Sequence, residues 1–167
     1  MSTFVIRPAR TSDVPAIKAL VAPLASRRVL MAKETVAYFE GIQEMWVAES
    51  PDGVVGCGAL HVMWEDLAEI RTLAAAPDWL GRGLGHALVE RLLEEARSLG
   101  VSRVFCLTFE VDFFRRHGFE VMADQTAVDP QVYSELLRSH DEGVAEFLDL
   151  ARVKPNTLGN TRMLLLL

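Results

Sequence analysis

The order of strand-like and helix-like segments predicts a mixed α/β fold of the α+β type, formed by a single domain over residues 1–167. Two observations lead to this prediction. Short β-leaning segments occur on both sides of one strongly amphipathic helix, an order that is typical of a layered α/β fold. Half of the 167 residues are hydrophobic, and no repeat, low-complexity tract or shift in composition divides the chain.

The chain begins with a predicted strand and two predicted helices. Residues 4–7 have the composition of a short strand. Residues 11–13 offer an N-cap, and the apolar residues that follow recur at helical spacing as far as Leu24, so the first helix starts here. A looser helical pattern covers about residues 33–43.

A β-hairpin is the next predicted feature. Strands are expected at residues 45–49 and 54–64, because the turn between them combines Pro51, which fixes φ, with Gly53, which accepts a positive φ. A third strand is expected at residues 67–75, after an acidic break.

The clearest helix covers residues 85–99, where leucine, valine and alanine form an apolar stripe and a glycine closes the last turn. Residues 103–108 predict another strand, and a short helix is expected at residues 113–117. The remainder is less regular, with a helix around residues 131–139 and a final strand over residues 162–167.

Charge and hydropathy exclude several classes of protein. The net charge is −6 and no basic block occurs, so binding to nucleic acid is not expected. The longest apolar run, residues 163–167, is far shorter than a membrane helix, and the N-terminal residues do not resemble a secretory signal. Cys57 and Cys106 form no Cys-x-x-Cys pair, and the four histidines have no metal-binding spacing. We therefore expect a cytoplasmic protein with two buried, reduced thiols, no metal and no membrane partner.

A cluster of alternating glycines carries the strongest functional signal. Gly81, Gly83 and Gly85 lie between a predicted strand and a predicted helix, where free backbone amides and the helix dipole attract anions. The P-loop is excluded because its lysine is absent. The dinucleotide fingerprint is disfavoured too, because its last glycine position holds His86 or Leu88 in the two possible frames.

This loop resembles the acetyl-coenzyme A loop of the GNAT acetyltransferases, Arg/Gln-x-x-Gly-x-Gly/Ala. Gly83 and Gly85 match the two small positions, whereas Leu80 stands where the family usually has Arg or Gln. Residues 73–77 before the loop and 113–119 after it also resemble the family. The resemblance implies an acyl-CoA N-acyltransferase (GNAT) fold, with a central, mostly antiparallel mixed sheet flanked by helices, and acetyl-CoA as the co-substrate.

Several segments are similar to the acetyltransferase domain of the N-acetylglutamate synthases. These are residues 69–74, 105–108 and 113–119, and the tail at residues 153–164 is similar to the short, single-domain bacterial form. The resemblance implies acetyl transfer to the α-amine of L-glutamate, or of L-glutamine, as the first step of arginine biosynthesis. An amino-acid-kinase-like domain, which houses arginine feedback in longer synthases, is not expected here. The alternatives are another acceptor (a different amino acid, a polyamine, an aminoglycoside or a protein amine) and a non-catalytic acetyl-CoA-binding module.

The resemblance also implies roles for individual residues. Glu69 is expected to be the general base, and regular alternation would place Glu69, Arg71, Leu73 and Ala75 on one face of a strand. Phe114 stands where many relatives have a tyrosine acid, so we expect an aromatic wall there and a thiol that leaves as thiolate. The expected contacts with acetyl-CoA come from Leu73, Ala74, Ala75, Leu80, Gly81, Arg82, Gly83, Gly85, His86 and Phe114.

The substrate's carboxylates require local cations in an acidic protein, and arginine suits their planar geometry. We expect Arg162 to bind the acceptor first, followed by Arg71 and Lys33, with an amide hydrogen bond from Asn160. The apolar tail, residues 163–167, is expected to be an exposed edge strand and so to favour a homodimer.

Overall fold

A computed structural model describes residues 3–31, 33–122, 128–150 and 159–167 of the chain. They divide into two compact units. The first unit comprises Met1–His61 and Ile70–Leu99, and the second comprises Val62–Glu69 and Gly100–Leu167. None of the helices in these described ranges has the length and hydropathy that a membrane-spanning helix requires.

Seven strands form one mixed sheet. In chain order they are β1 (Val5–Pro8), β2 (Met45–Ser50), β3 (Gly53–Trp64), β4 (Leu67–Ala75), β5 (Arg103–Thr108), β6 (Glu120–Val121) and β7 (Thr161–Leu166). Their order in the sheet is β1-β2-β3-β4-β5-β7-β6. The β4–β5 pair is parallel, whereas β1–β2, β2–β3, β5–β7 and β6–β7 are antiparallel. The predicted mixed, mostly antiparallel sheet is confirmed.

The α-helices of the described residues occur between these strands along the chain. They are α1 (Val14–Ser26), α2 (Thr35–Glu40), α3 (Leu84–Ser98), α4 (Val111–Arg115), α5 (Pro130–Leu136) and α6 (Glu142–Phe147). The helix expected over residues 33–43 is shorter, because a 3₁₀ turn, Ile42–Glu44, replaces its last part. Helix α6 and the two-residue strand β6 were not predicted.

In the first unit, apolar side chains form two clusters. One, the α1 cluster, joins α1 and α2 to β2, β3 and Ala74 of β4, with Ile17 and Val47 fully buried. The other, the α3 cluster, joins the buried side of α3, including Leu84 and Leu88, to residues of β2 and β3. The turn of the β2–β3 hairpin contains Gly53 at φ +121°, as expected. Helix α3, which carries the glycine loop at its start, is therefore fixed to the strands by its apolar stripe.

An ion-pair cluster connects β1, α1 and β2. The Arg7 guanidinium donates to Asp13 at 2.7 Å and to Glu49 at 2.8 Å. These contacts raise the pKa of Arg7 and hold the pKa of Asp13 below its ordinary value. Asp13 occupies the N-cap position of α1, but its carboxylate accepts from Arg7 and from the Arg10 amide rather than from the helix amides. The predicted N-cap within residues 11–13 is therefore confirmed at Asp13, although its side chain makes no hydrogen bond to the amides of α1.

In the second unit, β5, β7 and β6 lie side by side, and α5 and α6 contribute to an apolar cluster. Phe105 of β5 meets Phe147 of α6 edge-to-face, with ring centroids 5.5 Å apart. Strand β7 pairs with β5 along its length, and its Met163 and Leu164 also pair with β6. The expectation that the tail is an edge strand is wrong, because β6 covers that side of β7 at Met163 and Leu164.

Candidate active site

Helix α3 begins directly after the glycine-rich loop. Gly83 is its N-cap residue, with φ +79°, and Gly81 has φ +74°. An added Cβ would meet nothing within 4 Å at either position, so the backbone conformation rather than space requires glycine here. The hydrogen bonds of the helix begin where the Ala87 amide donates to the Gly83 carbonyl at 3.0 Å. The amides ahead of that bond lie at the positive end of a fifteen-residue helix, a geometry that suits an anion.

The expected cofactor loop lies at the surface of the first unit. Leu80 is 68% exposed, Gly81, Arg82 and Gly83 are exposed, and Gly85 and His86 are half-buried. The Arg82 guanidinium lies 5.2 Å from the centroid of the Trp79 ring, a cation–π contact that orders the loop. The loop residues predicted for acetyl-CoA are thus brought together and accessible.

A glycine on the neighbouring strand allows α3 to approach the sheet. A Cβ added to Gly56 of β3 would lie 2.4 Å from Leu84 Cδ2, 3.2 Å from Leu88 and 3.3 Å from the Ala74 carbonyl oxygen. The first distance is far below van der Waals contact, and the other two are shorter than it by a few tenths of an ångström. Gly56 therefore sets how closely the first turn of α3, and with it the glycine loop, packs on β3.

Strand β4 carries the expected base. Glu69 is only 5% exposed and pairs with Phe105 of β5 in parallel register. Its negative charge, together with burial, raises the pKa of the neighbouring Cys106 thiol. Glutamate side chains are rarely buried to this extent. Arg71, two residues further along the strand, is half-buried.

Thr72 interrupts the regular geometry of β4. Its φ is +58°, in the left-handed region, which costs a β-branched residue about 1–3 kcal/mol. Burial nevertheless alternates across this position, since Thr72 and Ala74 are buried whereas Arg71, Leu73 and Ala75 are half-buried. The expected shared face is therefore compatible with the burial of Arg71, Leu73 and Ala75, whereas Glu69 is buried and departs from this pattern. Beyond the interruption, Leu73 and Ala75 pack with the α3 cluster, whereas Ala74 packs with the α1 cluster.

The Thr72 side chain receives one of the predicted acceptor residues. Lys33, which is exposed and lies just before α2, donates from Nζ to Thr72 Oγ1 at 3.2 Å. The Thr72 carbonyl accepts from Cys57 Sγ at 3.4 Å, and burial raises the pKa of Cys57 to about 12. The structure thus brings Lys33 to strand β4. Sequence reasoning missed Thr72, since threonine is an ordinary strand residue and no local pattern marks a positive φ.

Arg162, the first predicted acceptor residue, contacts the end of helix α6. Its Nε donates to the Glu146 carbonyl at 3.0 Å and its Nη2 donates to the Phe147 carbonyl. Both carbonyls lie in the last turn of α6, where a cation complements the helix dipole, and the Glu146 carbonyl also accepts from the Asp149 amide at 3.1 Å. Burial lowers the pKa of Arg162, opposed by the charge of Asp149. Arg162 therefore has a structural role that sequence analysis did not predict.

Asn160 lies just before β7. Its Oδ1 is buried and has no hydrogen-bond donor within the part of the chain that the structure describes. Buried acceptors are normally satisfied, so an unmatched oxygen is suited to a ligand donor. The tail residues 153–158, which contributed to the sequence resemblance, lie outside the described residues.

Phe114 of α4 is 5% exposed and belongs to an aromatic cluster. It meets Phe113 and Phe119 edge-to-face, with ring centroids 5.1 and 5.2 Å apart. Cys57 and Cys106 are buried free thiols, as predicted. Among the described residues no group of three or more His, Cys, Asp or Glu side chains has the arrangement of a metal site.

Comparison with known families identifies the fold. Residues 22–119 match the model of the acetyltransferase (GNAT) family, and they include the glycine loop, β4 and α3. The chain belongs to the GNAT acetyltransferases. This membership confirms the predicted fold and enzyme class, an acetyltransferase that uses acetyl-CoA as co-substrate.

Relatives of this GNAT chain include amino-acid acetyltransferases. One named amino-acid acetyltransferase, from Mycobacterium tuberculosis, is 58% identical over 98% of this chain and 94% of its own length. The crystal structure of Rv2747 from the same organism, in complex with CoA and NLQ, is 58% identical, covers 98% of this chain and 99% of its own, and has a TM-score of 0.92.

A more distant structure shares the GNAT fold. N-acetylglutamate synthase from Neisseria gonorrhoeae, complexed with coenzyme A and N-acetyl-glutamate, is 23% identical with a TM-score of 0.77. The match covers all of this chain and 36% of that one. This GNAT chain therefore has the fold of one part of a longer protein.

Proposed function

We propose that this GNAT acetyltransferase is an amino-acid N-acetyltransferase that transfers the acetyl group of acetyl-CoA to the α-amine of L-glutamate, the N-acetylglutamate synthase reaction that begins arginine biosynthesis. One observation of the structure supports the proposal: strand β4 bears a buried carboxylate, Glu69, and is followed along the chain by the glycine loop at the start of α3. The 58% identity to an amino-acid acetyltransferase over nearly the whole chain supports the choice of substrate class.

In this proposal the glycine loop binds the pyrophosphate of acetyl-CoA. The amides at Gly81, Gly83 and Gly85 supply donors, and the α3 dipole favours the negative charge. Backbone groups of residues 73–75 pair with the pantetheine arm. The remaining cofactor residues, Leu80, Arg82, His86 and Phe114, line the cofactor.

Glu69 acts as the general base. It takes a proton from the acceptor's ammonium group, directly or through water, and the neutral amine then attacks the thioester carbonyl. The tetrahedral intermediate collapses with cleavage of the C–S bond, and the extra proton on its nitrogen passes to the departing thiolate, directly or through water, giving the N-acetyl amino acid and CoA. A thiol with a pKa of about 8.5 leaves as thiolate, so the phenol that Phe114 lacks is not needed. Both substrates are bound at once and no acetyl-enzyme forms.

The acceptor's carboxylates are bound by cations near β4 and β7. Lys33 and Arg71 supply positive charge at β4, Arg162 supplies it at β7, and the unmatched Oδ1 of Asn160 accepts a hydrogen bond from the acceptor. L-Glutamine differs from L-glutamate in one charged end, so it is the alternative acceptor. The second candidate function is acetylation of an amine without a carboxylate. It gives these cations no group to bind, so it is less well supported.

Three features of organisation belong to the same proposal. The chain acts as one acetyltransferase domain over residues 1–167, and it acts in the cytoplasm, where buried reduced thiols are stable. It works as a homodimer, supported by Leu166 and Val121, which are 71% and 46% exposed on neighbouring strands. Sedimentation at micromolar concentration tests the dimer, and a purely monomeric profile contradicts it.

The deciding experiment measures CoA thiol release from acetyl-CoA with amino acids, polyamines and a basic peptide as acceptors. We expect turnover with L-glutamate or L-glutamine alone. Glu69→Gln should lose about 10²-fold or more in kcat with unchanged CoA affinity. Glu65→Gln, an exposed glutamate of the turn before β4, is the matched control and should behave as wild type. Turnover only with amines lacking a carboxylate contradicts the proposed substrate, and full activity of Glu69→Gln contradicts the proposed base.

A further inference from the structure

We propose that Thr72 is a positioning residue for acceptor recognition: its hydroxyl holds the Lys33 ammonium beside strand β4, where that cation binds a carboxylate of the acceptor. The inference rests on the proposed function and extends it to a residue that contacts no substrate itself. It starts from the hydrogen bond between Lys33 Nζ and Thr72 Oγ1 at 3.2 Å.

Thr72 is buried, and its backbone contacts a buried cysteine. Its carbonyl accepts from Cys57 Sγ at 3.4 Å, and Cys57 is fully buried in the α1 cluster. Its side chain is buried as well, with the residue 7% exposed. A β-branched residue in the left-handed region is rare and persists only where the surroundings determine it, which is typical of functional sites.

The Thr72 side chain contacts the segment that precedes α2. Thr72 and Ala74 are the buried residues in this part of β4, and Ala74 packs in the α1 cluster. The Thr72 hydroxyl accepts from Lys33 Nζ at 3.2 Å. An otherwise exposed lysine, with four rotatable methylenes, is thus tied by its charged end to a rigid strand.

Such a contact favours binding of an anion by preorganisation. A flexible lysine loses rotamer freedom when it binds a carboxylate, and that loss weakens binding. When a hydroxyl already holds the ammonium, part of the rotamer freedom is lost before the carboxylate binds, so binding costs less entropy. An ammonium has three N–H donors, so one bond to Thr72 is compatible with a bond to a carboxylate. Arg71, next to Thr72 in sequence, adds positive charge to the same stretch of β4.

The test removes the hydroxyl in two ways, once with the branched side chain kept and once with the whole side chain removed. Thr72→Val keeps the branched Cβ, and Thr72→Gly suits the positive φ, so the two variants lack the hydroxyl at opposite backbone costs. Thr72→Ser keeps the hydroxyl. Thr35→Val is the matched control, because Thr35 Oγ1 accepts from Lys18 Nζ at 2.6 Å in an exposed pair of the same chemistry on α1 and α2.

We expect Thr72→Val and Thr72→Gly to raise KM for L-glutamate about five- to tenfold, as loss of a hydrogen bond to a charged group predicts. Their kcat and their KM for acetyl-CoA should stay within about twofold of wild type, and Thr72→Ser and Thr35→Val should match wild type. Lys33→Met should raise the same KM, and adding Thr72→Val to it should raise KM no further, because Thr72 acts through Lys33. Thermal unfolding of each variant confirms that it is folded.

Three results overturn the inference. One is an equal effect of Thr72→Ser and Thr72→Val, and another is an effect confined to kcat or to acetyl-CoA. The third is independent, multiplying effects of Lys33→Met and Thr72→Val. Wild-type turnover of L-glutamate with an unchanged KM in Thr72→Val overturns this inference alone. A wild type that acetylates neither L-glutamate nor L-glutamine overturns the proposed function and this inference with it.

Discussion

The contact between Gly56 and helix α3 gives a prediction whose sign depends on two opposing effects. Replacing glycine by alanine in the middle of a strand normally stabilises by about 0.5–1 kcal/mol, because the unfolded chain loses freedom. At Gly56, however, the new Cβ would lie 2.4 Å from Leu84 Cδ2, more than an ångström inside ordinary contact. Leu88 at 3.2 Å and the Ala74 carbonyl oxygen at 3.3 Å close the other directions.

Overpacking of this kind costs about 1–3 kcal/mol, so the clash outweighs the gain in propensity. We expect Gly56→Ala to lower the free energy of unfolding by about 1–2 kcal/mol and the Tm by about 5 °C. Since Leu84 is the first residue of α3, the displacement also reaches the glycine loop. CoA should therefore bind about tenfold more weakly, equivalent to about 1.4 kcal/mol.

Gly58→Ala is the matched control, because it is the same substitution on the same strand. Its Cβ would lie 3.0 Å from Leu92 and 3.1 Å from Leu73, so the clash is milder and falls two turns further along α3. We expect a smaller loss of stability and a smaller loss of CoA affinity than for Gly56→Ala, because the contacts are longer and lie further from the glycine loop. The assays are urea unfolding and calorimetric titration with CoA. Equal CoA affinity for the two variants, or a Gly56→Ala protein as stable as wild type, refutes the reasoning.

Three further predictions concern features away from the glycine loop. Asp13→Asn should cost on the order of 2 kcal/mol at pH 7, because it breaks the contact with Arg7. Since Arg7 lowers the pKa of Asp13, that contribution is present above about pH 4 and is lost as the pH falls through the folded-state pKa. The difference between the variant and wild type in urea unfolding should therefore shrink toward pH 2, and a constant difference contradicts the pairing. Arg162→Met should lower stability by about 2 kcal/mol through the two α6 carbonyls, and Arg162→Lys should restore part of it. If the Arg162→Met protein is as stable as wild type but has a raised KM for glutamate, Arg162 binds the substrate and does not stabilise α6. Finally, burial raises the pKa of Cys57 to about 12, so its thiolate fraction at pH 8 is on the order of 10⁻⁴. Neither Cys57 nor Cys106 should react with Ellman's reagent until the protein unfolds, and rapid labelling of the native protein contradicts their burial.

The long, strongly patterned elements of the fold could be predicted from sequence. The β2–β3 hairpin was predicted because Pro51 and Gly53 mark its turn, and α3 because its apolar stripe covers four turns. Strand β6 has two residues and α6 has six, too few to show a period. The place of β7 inside the sheet was missed for the same reason, since its second neighbour is β6.

The candidate site divides in the same way. The glycine loop was predictable because glycine is the residue that adopts a positive φ without steric cost, as Gly81 and Gly83 do. Thr72 was not, because no local pattern marks a positive φ at a threonine, and the two residues it contacts, Lys33 and Cys57, are far away in sequence. The capping of α6 by Arg162 was beyond prediction once α6 itself was not recognised. Glu69 and the other site residues remain predictions that the experiments above address.

The pairing of β5 with β7 also bears on how the protein folds. Arg103 pairs with Leu166 and Thr108 with Thr161, so each bond between these strands closes a loop of more than fifty residues. The β2–β3 hairpin closes across a two-residue turn, Ser50 pairing with Gly53. Closing long loops costs entropy before any contact compensates for it, and such pairings form slowly. We expect the hairpin to gain protection from hydrogen exchange early in refolding, and the β5–β7 ladder to gain it last. Until then, the apolar residues of β7 are open to association with other chains.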